Sequence, residues 1–129
     1  MAGKRRSIHV EGVEHGAPIP MGARVGNMLF SSGIMGTDPA TGKVPEDLGQ
    51  QCEFAFAHMK ALVENAGGTV EDIGAVKVYM KDRSQREAVN RPWLKMFPDE
   101  NNRPARHAIE YGAFPPGILM QLEIIAVLD

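Results

Sequence analysis

Residues 118–128 read ILMQLEIIAVL, and this stretch restricts the fold more than any other in the chain. In an extended strand, successive side chains point to opposite faces. Ile118, Met120, Leu122, Ile124, Ala126 and Leu128 then form one unbroken apolar face, which must lie beneath helices. Gln121, Glu123, Ile125 and Val127 form the other face, which is too apolar to be left in water. A neighbouring subunit is the simplest cover for it.

The rest of the chain supplies the helices. Leu48, Cys52, Ala55, Met59, Leu62 and Ala66 recur at steps of three and four, with Phe56 and Val63 widening the stripe. This predicts a helix over about 46–66, with Glu46 and Asp47 in its first turn and Gly67-Gly68 as its stop. A second, shorter helix is expected over about 84–97. Ser84 and Glu87 have capping-box spacing, and Pro92 forces either a bend or a start near Asn90. Strands are expected at 7–13, on either side of a tight Gly26-Asn27 turn, at 72–82, at 105–111 and at 118–128. In the 72–82 strand, Val76, Val78 and Met80 share one face, and Lys77 and Tyr79 the other. Strands, helix, strand, helix, strands make an α+β fold in which two helices back one mixed sheet.

Length and charge set the outer bounds. A chain of 129 residues fits one domain and one core, with Lys4-Arg5-Arg6 at the end of a basic tail over 1–6. At 43% hydrophobic and 23% charged the profile is that of a globular chain, and a net charge of −2 gives no global field toward nucleic acid. The single cysteine, Cys52, forms no intrachain disulfide and falls on the helix's apolar stripe, so it reads as a core residue. His9, His15 and His58 lack metal-ligand spacing, and no metal site is assigned. No apolar run is long enough to span a bilayer and none resembles a signal peptide, so a cytoplasmic setting is expected.

Two charges stand beside this core. Arg106 opens the 105–111 strand, with Ala108 and Glu110 on its side and His107, Ile109 and Tyr111 on the other. Glu123 sits in the final strand. Should these two strands pair through the Phe-Pro-Pro-Gly turn, Arg106 and Glu123 approach the same region. They then form either a structural salt bridge or a site. In the second case the planar guanidinium grips a carboxylate through two parallel hydrogen bonds, and Glu123 orients or deprotonates a water. Alternation aims His107 away from Arg106, toward packing or an interface.

From about residue 16 to 128 the chain resembles the reactive intermediate deaminase family, also called RidA or YjgF. The resemblance is carried by VGNMLFSSG (25–33), DPATGKV (38–44), ENAGGTVEDI (64–73), VYMKD (78–82), VN (89–90) and RPARHAIEYGAFPPGILMQLEIIAV (103–127). It implies a chorismate-mutase-like fold assembled as a homotrimer around a central β-barrel, with a cleft at each interface. It implies hydrolysis of enamines and imines such as 2-aminoacrylate and 2-iminopropanoate to 2-keto acids and ammonia, without cofactor or metal. By position, Arg106 grips the substrate carboxylate and Glu123 positions the water. Asn90 lies near the cleft or only caps the second helix; Gly33 offers a backbone group, and Pro115 shapes the wall.

The departures are Ile19 where the family often has tyrosine, Ile34 where it has glutamine, and His107-Ala108 where it has Ser-Cys. Ile19 and Ala108 would make the cleft more apolar. Other readings are a pathway-specific deaminase acting on an aminomuconate-like compound, a ligand-binding or chaperone trimer without turnover, and an RNA-acting trimer. For the last, the sequence offers neither a basic stripe nor an aromatic platform.

Overall fold

The structure, a computed structural model, describes residues 4–129. Among these residues six strands form one sheet in the order β1-β2-β3-β6-β4-β5, with two α-helices on one face. They are β1 (Arg5–Ile8), β2 (Gly22–Val25), β3 (Met28–Ser31), α1 (Leu48–Asn65), β4 (Ile73–Met80), α2 (Glu87–Met96), β5 (Ala105–Glu110) and β6 (Met120–Val127). Every neighbouring pair is antiparallel except β4 and β5, which run parallel around the α2 crossover, so the sheet is mixed as expected.

β6 lies between β3 and β4. Its helix-facing residues Met120, Leu122, Ile124 and Ala126 are buried against α1, whose Cys52, Ala55, Phe56, Met59, Leu62 and Val63 complete the core. Burial, with Glu53 and Asp47 nearby, pushes the Cys52 thiol up to about 12, so it stays protonated as a core residue should.

Local chemistry sets the element ends. Asp47 is the N-cap of α1, its carboxylate accepting from the Gln50 amide at 2.9 Å; Glu46 precedes the helix, so neither acid occupies the first turn. At the other end Gly67, at φ 98°, donates to the Glu64 carbonyl and Gly68 to that of Val63, a Schellman closure. Gly26 (φ 61°) and Asn27 form the two-residue turn between β2 and β3, with the positive φ at the first position that a type II′ hairpin needs.

Four expectations are corrected. β1 begins at Arg5, so Arg5 and Arg6 belong to an exposed edge strand rather than a tail; residues 1–3 lie outside the described residues. Ser84 caps nothing: its amide and hydroxyl both bond to Asp82, which opens a short 3-10 turn, and α2 starts at Glu87 without a side-chain cap. The helix begins at Glu87 rather than near Asn90, and Pro92 is its sixth residue. β5 and β6 do not pair, because β4 lies between them. The Pro115–Ile118 turn that precedes β6 is closed by Ile118 donating to Pro115 and carries Gly117 at φ 87°, but it leads to a strand two places away.

Candidate functional site

Register fixes which face each functional residue occupies, since residues directly opposite in a ladder share a face. Arg106 lies opposite Val76, and Val76 opposite Ile124; both aliphatics are buried under the helices. Lys77 lies opposite both His107 and Glu123, so those three share the open face. Arg106 and Glu123 therefore stand on opposite faces of the sheet, with β4 between their strands. They form no salt bridge, and the structural alternative for this pair is set aside.

On the helix side, Arg106 is half-buried on the edge strand β5 and held from α2. Its Nη2 donates to Asn90 Oδ1 at 2.7 Å, and its guanidinium carbon lies 4.9 Å from the centre of the Trp93 ring. Asn90 Nδ2 donates to Glu87 Oε1 at 2.9 Å, so the amide passes the orientation of Glu87 to the arginine. Asn90 is thus the fourth residue of α2 and a bridge to Arg106, not a cap. Desolvation and the neighbouring Arg86 lower the pKa of Arg106 from its ordinary value, while Glu87 opposes them. Among the described residues Asn90 is the one hydrogen-bond partner of this side chain, so most of its five donors remain for a ligand. Ala108, opposite Val78, lies on the same side of β5.

On the open face, Glu123 Oε1 accepts from the Tyr79 hydroxyl at 2.9 Å. That bond is the main reason the Tyr79 pKa is raised, with desolvation and the Glu123 charge adding to it. Tyr79 also lines a cavity of about 200 Å³ with Tyr111, Ala113, Phe114, Pro115 and Gln121. Pro115 therefore shapes a wall of a cavity that Tyr79 links to Glu123. Gly33 faces the same neighbourhood: a side chain there would meet Gln121 Oε1 at 2.7 Å. His107 is exposed opposite Lys77, clear of Arg106.

Two of the departures sit elsewhere. Ile34 is fully buried and bridges Leu122, so it is a core residue and removes no polarity from a cleft. Ile19, 48% exposed, lies beside Gly22, Ala23 and Phe30 near β2 and β3. Three strand spacings separate β3 from β5, about 14 Å, so Ile19 and Arg106 of one chain do not share a cleft. The named residues thus fall into three groups: Arg106, Asn90 and Ala108; Glu123, Gly33 and Pro115; and Ile19.

Sequence reasoning missed two features. Gln51 is fully buried, donating to the Pro45 and Gly117 carbonyls at 2.7 and 2.9 Å and accepting from the Leu119 amide at 3.0 Å. It clamps the turn that carries Pro115 toward the cavity; a polar residue on an otherwise apolar helical stripe was its signal. The aromatic cluster gave no local signal, because Tyr79 of β4 meets Tyr111 and Phe114 of the loop after β5 only through the fold.

Known proteins share this architecture. Residues 18–128 match the family described as Endoribonuclease L-PSP. The chain is 35% identical over 111 residues to the 2-iminobutanoate/2-iminopropanoate deaminase of Escherichia coli, covering 85% of this chain and 87% of that protein. It is 35% identical over 112 residues to a RutC family protein of Haemophilus influenzae, covering 85% and 86%. The crystal structure of the YjgF gene product from E. coli superposes with a TM-score of 0.86 at 32% identity, covering 96% of this chain and 99% of the other. With a matching family over most of its length, and a mixed sheet backed by two helices to go with it, the chain belongs to the RidA/YjgF family.

Proposed function

We propose that this protein hydrolyses 2-imino acids and their enamine tautomers to 2-keto acids and ammonia, in a homotrimer whose sites lie between copies. The observation that carries the reading is the held, unsatisfied guanidinium of Arg106, fixed by Asn90 and Trp93. A planar donor set presented this way suits a carboxylate. The identity to an imine deaminase over 85% of the chain supplies the reaction class.

Within one chain the arginine and the glutamate are on opposite faces, so a second copy is what brings them together. The open face favours this. Phe30, Ile125 and Val127 are 42%, 40% and 51% exposed on it, and such a face is better buried against its own kind. Arg106 stands on the edge strand β5, where the open face of a neighbour has access to it.

The chemistry then follows. Arg106 holds the carboxylate of a protonated imine. Glu123, steadied at Oε1 by Tyr79, takes a proton from a water through its other oxygen. The water oxygen bonds to C2, and the C=N electron pair moves to nitrogen. The resulting carbinolamine passes its hydroxyl proton to the amine; the C–N bond breaks, ammonia leaves and takes up the proton held by Glu123 to become ammonium, and the keto acid remains with the base restored. The reaction needs no redox step. Glu123 is the base and Arg106 the anchor, while Gly33 and Pro115 bound the cleft; Ile19 and Ala108 supply apolar surface to it, Ile19 from a neighbouring copy. A cytoplasmic setting belongs to the same reading, since amino-acid metabolism makes such imines there. Among the described residues no helix is long and apolar enough to cross a membrane.

The test generates imines in situ from several amino acids with an L-amino-acid oxidase and follows their decay with and without the protein. Accelerated decay, with three chains in native mass spectrometry, is the expected result. Unchanged decay for every imine overturns the activity, and a clean monomer overturns the interface site.

A further inference from the structure

The cavity beside Glu123 has a chemistry of its own. Three aromatic rings converge on it: Tyr79 meets Tyr111 edge to face, centroids 6.4 Å apart at 77°, and Tyr111 meets Phe114 at 4.9 Å and 74°. Together with Ala113, Pro115 and Gln121 they line an open cleft of about 200 Å³. A volume of about 150 Å³ is enough for benzene, so the cleft has room for a single six-membered ring along its aromatic wall. Crossed rings present a guest with both a face and an edge, the arrangement in which a further ring gains most.

The cavity is also placed correctly for a substrate. Gln121 on its wall and Glu123 are two residues apart on β6 and share the open face, a separation of about 7 Å. That is the reach of a ring joined through one carbon to the carbon that Glu123's water attacks. The Tyr79 hydroxyl, bonded to Glu123, turns that ring's polar end toward the reacting centre and its apolar body toward the cavity.

We propose that this cavity is the side-chain pocket of the site, and that it selects 2-imino acids bearing an aromatic or similarly flat, unsaturated substituent. Tyr111 and Phe114 determine the specificity. The proposal rests on the deaminase reading for its reaction but not for its pocket, and two measurements separate them. The first is calorimetric binding of phenylpyruvate and of pyruvate to the assembled protein. The second is the ratio of kcat/KM for the imines generated from phenylalanine and from alanine.

Burying one ring predicts a preference of roughly ten- to a hundredfold for the aromatic member of each pair. Tyr111→Ala and Phe114→Ala should each bring both preferences down toward parity. Leu94→Ala, an equally exposed apolar residue on α2, should leave the preferences where they were. Turnover of the alanine-derived imine without any aromatic preference overturns the pocket and leaves the deaminase standing. Tight, Tyr111-dependent binding of phenylpyruvate without turnover of any imine supports the pocket and overturns the deaminase. Equal binding of the two keto acids with no turnover overturns both.

Discussion

On β6, Leu122 and Ile124 are 0% and 1% exposed, whereas Ile125 and Val127 on the same strand are 40% and 51% exposed. The two faces differ in what they were given to pack on. The helix side has a full partner in α1, with Gln51 paired on both its amide atoms. The open side carries Phe30, Ile125 and Val127 beside Glu123, Lys77 and His107, with no layer over them. One face is finished by the chain itself; the other leaves apolar side chains exposed. The two groups to which the proposed chemistry is assigned are divided the same way, Arg106 to the finished side and Glu123 to the open one. A site that needs both therefore cannot be a property of the single chain.

The largest effect should separate the faces directly. Leu122→Ala opens a cavity in a filled core and should cost about 2–5 kcal/mol in chemical unfolding. Ile125→Asp leaves the same strand's core side intact. It should cost the single chain little and instead shift the assembly toward smaller species in native mass spectrometry, with activity falling alongside. If Ile125→Asp keeps three chains together, the open face is not the surface on which copies meet.

Next comes the division of the site. Arg106→Lys keeps the charge but loses the two-pronged geometry, and should lower kcat/KM by one to two decades, about 1.5–3 kcal/mol. Arg106→Ala should lower it further while the assembly persists. Wild-type turnover in the alanine variant removes Arg106 from the site. Mixed assemblies sharpen the comparison. Chains carrying Arg106→Ala mixed with chains carrying Glu123→Gln should regain activity, since one interface in the mixture then has an intact arginine facing an intact glutamate. Two defects confined to one chain's own site would give no such rescue.

These contrasts also mark what the sequence could and could not disclose. The helix stripe ending at Ala66 and the two faces of β6 were legible because local periodicity encodes them. The neighbour of β5 was not. A Pro-Gly turn between two strands reads as a hairpin, and only the parallel β4–β5 pairing, made by residues some thirty positions apart, excludes it. The same holds for the site. Arg106, Asn90 and Glu123 could be named from the family resemblance, but not the sheet face each occupies, which follows from pairing. Ser84 and Glu87 had the right spacing for a cap, yet Asp82, two residues upstream, took the Ser84 amide first. Ile34, which reads as a lost cleft residue, is held in the core by its bridge to Leu122.

A smaller effect tests the finished side's hold on Arg106. Asn90→Ala removes the amide that orients the guanidinium but leaves the Trp93 ring beneath it. The loss should be about 1 kcal/mol, several-fold in kcat/KM and chiefly in KM, because the group that binds the carboxylate is still present but less well aimed. Asn90→Asp should differ. A carboxylate at this position pairs with the guanidinium and competes with the substrate, so KM should rise more than in the alanine variant. Equal kinetics in both variants and wild type would show that Trp93 alone fixes the arginine.

The smallest effect lies on the open side, in the Tyr79–Glu123 hydrogen bond. The phenol donates to the carboxylate, which favours its protonated form, so its pKa in the folded protein lies above the ordinary value of 10.0. A group whose folded pKa is raised stabilises the fold fully below its unfolded pKa, and that stabilisation is lost as pH climbs through the folded value. The stability difference between wild type and Tyr79→Phe should therefore be flat from neutrality to about pH 10 and shrink above it. Because Tyr79 is partly solvated, the difference should be small. The kinetic consequence should be easier to read: Tyr79→Phe frees Glu123 to turn, lowering kcat more than KM, while Arg106 on the other face still binds the carboxylate. A stability difference that instead changes between pH 5 and 8 would mean that another group, not the tyrosine, partners Glu123.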